Sequence, residues 1–286
     1  MGDRQACWLV GTKGGLLRGD LDGNWEKVGG YNFRVTSIVR NAERVVVGVG
    51  SGLWEVDMGG GMWKQLHDET LTEVLAIGAI PGDPGIVAAS AYGIATGERD
   101  EMGAVRWSFW SDDLLVNERF SNAVLVVDDK RWLVGTEGGV LVAEDGGENW
   151  THTSLSGTPV RGLCRALGSF WAGTDERGIW RSEDGVNWKQ AGRGLDQGTV
   201  FDLTESGGKI VAGSLEGIVV GDGEGSWQRL GPRMLMAAVA ADPTDANTWL
   251  AGGDPGGLWI TRDAGETWQQ MGVPATIEVI LVPEGD

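Results

Sequence analysis

Histidine, cysteine and tyrosine are almost missing from this sequence, which holds two of each among its 286 residues. With so little imidazole, neither a zinc site nor a Ser-His-Asp triad is in prospect. His67 and His152 each follow shortly after a tryptophan in different parts of the chain, and both read as solvated polar residues. No metal site and no cofactor is expected. Cys7 and Cys164 are too few and too far apart for a disulfide framework, and read as small buried side chains in a reducing compartment. Long apolar runs are missing too. None approaches the roughly 20 residues that span a bilayer, and the strand-like stretch from Cys7 to Thr12 begins too early to follow a signal peptide, so a cytoplasmic protein is expected. Positive charge is also short: 23 Lys and Arg face 41 Asp and Glu, for a formal net charge of −18. That surplus repels phosphate backbones and anionic membrane surfaces, and neither nucleic acid nor membrane is expected as a partner.

Glycine and tryptophan, in contrast, are plentiful, at 49 and 15 residues. Seven of the tryptophans, Trp25, Trp63, Trp107, Trp150, Trp188, Trp227 and Trp268, recur at separations of 38, 44, 43, 38, 39 and 41 residues. A period of about 40 residues, with short strand-like runs and glycine turns inside each unit, is the signature of a propeller with four-stranded blades. The fourth repeat shows the unit: strand-like runs from Asn122 to Val127, Arg131 to Thr136 and Gly139 to Val142, then a turn from Glu144 leading to Trp150. The fifth repeat copies it with Val160 to Leu163, Phe170 to Thr174, Gly178 to Arg181 and Asp184 to Trp188. The first repeat opens at what should be a second strand, Trp8 to Thr12, so it lacks an inner strand. Thr276 to Val282 is a lone strand at the other end, and pairing it into the first blade closes the ring and removes the open edges. The expected fold is an all-β, seven-bladed β-propeller of four-stranded antiparallel blades. The expected blades are residues 1–30 with 275–286, then 31–69, 70–115, 116–156, 157–194, 195–232 and 233–274. The uneven spacing argues against a repeat built from one consensus.

The turns before the tryptophans carry a family resemblance. Thr261-Arg-Asp-Ala-Gly-Glu-Thr-Trp268 and Ala143-Glu-Asp-Gly-Gly-Glu-Asn-Trp150 resemble the Asp-box, or BNR repeat, Ser/Thr-x-Asp-x-Gly-x-x-Trp. Ser182 to Trp188 is one residue shorter; Asp22 to Trp25, Asp57 to Trp63 and Asp222 to Trp227 are degenerate, and the repeat ending at Trp107 has lost the motif. The resemblance implies a propeller similar to those of sialidases, sortilin-like receptors, xyloglucan-active glycosidases and photosystem II assembly factors, which share the repeat without sharing a function. The motif itself has a structural purpose: the Asp accepts backbone N–H bonds, the Gly supplies a positive φ, and the Trp covers the hairpin.

Function in a propeller belongs at the mouth of the axial funnel, where the hairpins between second and third strands meet the connections into each inner strand. By this register the hairpins supply Lys13, Ser51, Tyr92, Glu137, Asp175, Glu176, Arg177, Glu216 and Asp254. The connections and inner strands supply Arg34, Glu73, Arg119, Asn122, Arg161, Asp202 and Glu278. For Trp110, in the irregular segment Trp107 to Leu115, two readings stand: an exposed aromatic loop that binds a ligand, and ordinary packing of an irregular blade. Arg34, Arg119, Arg161, Tyr92, Asp175, Arg177 and Trp110 are the candidate ligand-binding residues. For catalysis, a glycoside hydrolase needs two carboxyl groups, and Glu73, Asp202 and Glu278 are the candidates on or beside inner strands. Phe33-Arg-Val-Thr36 resembles the Phe/Tyr-Arg-Ile-Pro element of sialidases, with Thr36 in place of proline. That resemblance would make Arg34, Arg119 and Arg161 an arginine triad, with Tyr31 or Tyr92 as nucleophile. Gly48 to Gly52 has the glycines of a phosphate loop but no Lys-Ser/Thr after it, and Asp20 to Asn24 lacks the glutamate that completes a calcium loop. Two readings remain open: a monomeric, non-enzymatic binding or assembly platform for a protein or carbohydrate ligand, and a glycan-active hydrolase or lyase.

Overall fold

The second strand of each blade is apolar on both faces because neighbouring blades cover both. In the computed structural model, which describes residues 7–41 and 44–283, Trp8–Thr12, Ile86–Ser90, Trp132–Thr136 and Trp249–Gly253 are buried at every position. Outer strands are different. Trp63–Gln65 and Trp188–Gln190 bury the tryptophan and expose the two polar residues after it, which fits a strand that is covered on one face only.

Seven four-stranded sheets result, each a sequential antiparallel meander from inner to outer strand. The first is completed from the far end of the chain: Ile277–Leu281 pairs antiparallel with Trp8–Thr12, through Leu9 opposite Leu281, Val10 opposite Ile280 and Gly11 opposite Val279. The seven inner strands contact one another in a closed cycle, with Ile277–Leu281 lying between Met236–Ala241 and Val35–Asn41. This is the seven-bladed propeller and the closure expected from the lone terminal strand.

Two devices set the blades side by side. The first is a glycine in the second strand where the next blade's inner strand passes. A Cβ on Gly213 would lie 2.5 Å from the carbonyl oxygen of Met236, and one on Gly173 would lie 2.8 Å from that of Val200. Gly11, Gly48, Gly135 and Gly252 hold the same place against Val35, Val74, Val160 and Ile277. In the third blade the position is Ala89, and the inner strand that follows starts with the small Ser121 instead of a branched residue. The second device is the outer tryptophan. The indole N–H of Trp63 donates to Val28 O at 3.2 Å, that of Trp107 to Leu66 O at 3.0 Å, that of Trp150 to Trp110 O at 2.9 Å, and that of Trp227 to Ala191 O at 2.7 Å. Each acceptor is the residue just past the preceding blade's outer strand.

The turn between third and outer strands is held by an aspartate. Asp184 accepts N–H bonds from Val186 and Asn187 at 2.9 and 2.7 Å and a hydroxyl bond from Ser182 at 3.0 Å, while Ser182 Oγ accepts the Gly185 N–H at 2.9 Å. Asp263, Thr261, Gly265 and Thr267 repeat this arrangement. These bonds hold the Asp184 carboxyl well below the usual range, chiefly through the Asn187 N–H. The third blade, whose motif is not readable in sequence, has the same kind of turn: Asp100 accepts the Met102 and Ala104 N–H groups, each at 2.9 Å. In the fourth blade Ala143 has no hydroxyl to offer, and the turn instead runs through three successive positive φ angles, 53° at Asp145, 74° at Gly146 and 103° at Gly147.

Candidate functional site

Every inner strand contains one residue that its partner strand skips. Val35 pairs with Val49 and Ser37 with Gly48, which leaves Thr36 unpaired between them. The same slip isolates Leu75, Asn122, Arg161, Phe201, Ala237 and Glu278, one per blade. A bulge of this kind re-aims a side chain. All seven bulged residues are partly exposed, and each is preceded by a fully buried residue: Val35, Val74, Ser121, Val160, Val200, Met236 or Ile277. They form a ring at the start of the inner strands, where the connections and hairpins converge. In five of the seven cases the residue after the bulge is Ser, Ala or Gly. That pattern of buried residue, variable residue and small residue is the signal in the sequence by which this ring is recognisable.

Charges collect on the ring in two networks. In the first, Arg161 Nη1 donates to Glu137 Oε1 at 2.7 Å, while its Nε and Nη2 donate to Asp175 Oδ2 at 3.0 and 2.5 Å. Asn122 Nδ2 donates to the same Glu137 oxygen at 3.0 Å, which ties the fourth and fifth blades together. Asp175, and then Glu137, raise the pKa of the guanidinium above its ordinary value. In the second network Arg34 Nη2 donates to Glu278 Oε2 at 2.8 Å, and Lys13 Nζ donates to Asp254 Oδ2 at 3.0 Å. Thr276 Oγ1 donates to Asp254 Oδ1 at 3.1 Å, and the lysine bond leads in lowering the Asp254 carboxyl pKa. Among the described residues, Glu278 Oε1 is buried without a hydrogen-bond partner.

Beside the first network lies an open depression of about 850 Å³ lined by Pro159, Arg161, Asp175, Glu176, Arg177, Thr199 and Phe201. Glu176 and Thr199 also line a second depression of about 590 Å³ that runs between Leu195 and Glu216. Together they make a polar trough with one aromatic wall.

The candidate carboxylates have separate partners. Both oxygens of Asp202 are committed to the main chain: Oδ1 accepts the Leu203 N–H and Oδ2 the Val239 N–H, each at 2.9 Å, which clips the sixth inner strand to the seventh. Burial pushes its carboxyl pKa up to about 6. Burial also pushes the neighbouring Cys164 thiol up to about 12, with help from Asp202 and Glu205. Glu278 is held by Arg34. Glu73 is exposed at a left-handed φ of 50°, and its main chain bridges two hairpins through Gly50 O at 2.8 Å and the Ala91 N–H at 3.3 Å.

The three arginines have separate occupations too. Arg34 and Arg161 hold the two networks, whereas Arg119 folds back on its own loop, donating to Leu114 O at 2.9 Å and Asp112 O at 2.7 Å. Arg177 is exposed beside the trough, where its Nη1 approaches Ser156 O at 3.4 Å. Tyr92 is 65% exposed at a hairpin tip, and Tyr31 stacks on Phe33 at 5.2 Å and leans on Trp54 and Trp63.

Several expectations need correction. Of the two readings of Trp110, packing holds and the projecting aromatic does not: it is half-buried under Gly147, donates to Thr96 Oγ1 at 2.8 Å, and offers its carbonyl to Trp150. An indole that can satisfy its N–H inside the blade has no reason to stay in water. Of the two histidines, His152 is solvated as expected, its side chain 68% exposed, whereas His67 is half-buried. His67 Nδ1 lies 2.8 Å from Leu53 O with its ring edge-on to Trp54, and His152 Nε2 lies 2.8 Å from Glu118 Oε1. Among the described residues no group of three or more His, Cys, Asp or Glu is placed to hold a metal ion, and no helix is long and apolar enough to cross a membrane.

No protein-family model matches the chain. Over 232 residues it is 28% identical to the photosystem II assembly lipoprotein Ycf48 of Synechococcus sp. (strain CC9902), an alignment covering 75% of this chain and 67% of that protein. Among solved structures, the extracellular domain of a hybrid two-component system of B. thetaiotaomicron superposes on 91% of this chain with a TM-score of 0.74 at 17% identity. This chain spans only 37% of that one. The GH74 xyloglucanase of Xanthomonas campestris superposes on 93% of this chain, and on 52% of its own, with a TM-score of 0.68 at 14% identity. Structural likeness at these identities establishes the architecture alone. The chain is a seven-bladed β-propeller, and its sequence is similar to that of a photosystem II assembly lipoprotein.

Proposed function

We propose that this chain is a non-enzymatic assembly platform of the Asp-box propeller class, holding a protein partner against the funnel mouth. The observation that carries the reading is the commitment of four of the mouth's carboxylates, two of the three catalytic candidates among them, with the third, Glu73, exposed on its own. Glu137 and Asp175 are bonded to Arg161, Glu278 to Arg34, and Asp202 to two backbone N–H groups. A glycosidase needs a proton donor and a facing carboxylate across one bond; fixed ion pairs on rigid strands suit recognition instead. The hydroxyl–Asp–Gly bonding at Ser182 and Thr261 supports the Asp-box assignment. The similarity to an assembly lipoprotein supports a protein, rather than a glycan, as the partner.

The test is affinity purification from the source organism with the wild-type chain and with Arg177→Glu, run beside a glycan array. Reversing an exposed charge at the trough is expected to leave the fold intact and weaken retention of a stoichiometric protein partner about tenfold or more. Tight glycan binding that Arg177→Glu abolishes, with no protein retained, would favour the hydrolase reading instead.

A further inference from the structure

The repeat carries its extra chain in one place, around Trp107, where the tryptophan spacings lengthen to 44 and 43 residues. The second of these intervals holds the connection from residue 110 to residue 120, on the mouth side of the ring, which runs between the outer strand ending at Phe109 and the inner strand starting at Ser121. It contains the one α-helix among the described residues, Val116–Arg119.

The connection is built inside out. Two of its charged groups are satisfied at home: Arg119 donates to the carbonyls of Asp112 and Leu114, and Glu118, only 8% exposed, accepts the Leu115 N–H at 2.9 Å and meets His152 at 2.8 Å. Asn117 and Glu118 pack against Gly138 of the next hairpin, and Ser111 Oγ accepts the Ile94 N–H at 2.7 Å, so the loop is fastened to both neighbouring blades. Leu114 is buried at 6% exposure and anchors the loop, whereas the next two aliphatic side chains point to water: Leu115 is 64% and Val116 88% exposed, with the Phe120 ring one turn on at 38%. A turn folded for its own stability would bury these side chains and leave the glutamate outside. A rigid apolar projection, its ordering cost already met within the fold, is instead what a binding hot spot requires.

We propose that Leu115 and Val116 form a docking knob for a protein partner, seated in an apolar groove whose rim is basic. The basic rim follows from charge. Asp112 and Asp113 are exposed beside the knob, and among the described residues neither has an ion pair. The whole chain carries −18, which disfavours a second copy of itself and an anionic lipid surface alike. This inference rests on the platform reading and locates the contact within it.

A benzophenone amino acid carried at residue 116, and in a second chain at residue 177, tests both in cells of the source organism. The inference expects one dominant protein adduct from residue 116, with the linked peptide mapping to apolar residues flanked by Lys or Arg. With the cross-linker at residue 92 instead, the double change Leu115→Ser and Val116→Ser should cut the yield at least about tenfold at an unchanged unfolding midpoint. No adduct at residue 116, a lipid adduct, a scatter of weak protein adducts, a site without basic residues, or an unaltered yield in the double variant would each overturn it. An adduct at residue 177 with none at residue 116 removes the knob and leaves the platform; no adduct at either removes both.

Discussion

Replacing Asp202 with asparagine should change how stability depends on pH, because this carboxyl is strained in the ionised form. Burial raises its pKa to about 6 in the folded chain, against about 3.9 when unfolded. Between these values the folded state binds more protons than the unfolded one, so stability falls as pH rises from about 4 to about 6 and then levels off. Two pKa units correspond to roughly 3 kcal/mol. For a chain of this length that is about 5 °C in Tm. Asp184, Asp254 and Asp263 work in the opposite sense: their carboxyls are lowered by hydrogen bonds, so their contribution is present above about pH 4 and lost as pH falls below it. The two effects occupy different windows. Asp202→Asn cannot titrate, and its amide can accept only one of the two N–H bonds from Leu203 and Val239. The variant is expected to be the less stable protein at pH 4, and the gap should shrink by about 5 °C in Tm as pH rises to 7. Thermal unfolding by circular dichroism at half-unit pH steps reads this directly. Parallel Tm profiles for the two proteins from pH 4 to 7 would refute a strained Asp202.

Other substitutions probe the packing devices. Gly213→Ala puts a Cβ against the main-chain oxygen of Met236 and should cost about 1–3 kcal/mol, lowering Tm by about 2–5 °C; Gly50→Ala, with open space around it, should leave Tm unchanged. Ser182→Ala removes both hydroxyl bonds of the fifth-blade turn and should cost about 1–2 kcal/mol in urea unfolding at an unchanged m-value. Ile277→Ala, at a fully buried position of the closing strand, should cost about 2–5 kcal/mol. Hydrogen exchange should then quicken in Trp8–Thr12 as well as in the closing strand; exchange confined to the closing strand would mean that the ring is not held shut there.

The ring itself was legible because its signals are local and repeated. Outer tryptophans, glycine turns and a lone terminal strand beside an incomplete first blade fix seven sheets and their closure. The glycine of the second strand is visible too, though its reason, the passage of the next blade, is not. What stayed hidden depends on contacts between blades. Asp202 looks like a candidate acid in sequence, and only the approach of Val239 makes it a clip. Trp110 can be read as free or as packed until Thr96 and Trp150 are seen to use both of its polar groups. The turn at Asp100 does the work of the motif without its spelling, because carboxylate geometry tolerates changes around it. The bulges do not show in the apolar alternation of a strand, which a one-residue slip leaves readable as a strand; only the triplet of buried, variable and small residue marks them.

Hydrogen–deuterium exchange on the chain, alone and in complex with the partner recovered from the source organism, tests the platform reading most directly. Slowed exchange is expected on the mouth side, at residues 110–120, at the hairpins carrying Glu137 and Asp175, and along the trough from Pro159 to Phe201. Slowing confined to the Asp-bearing turns at the opposite end, around Asp184 and Asp263, would contradict it.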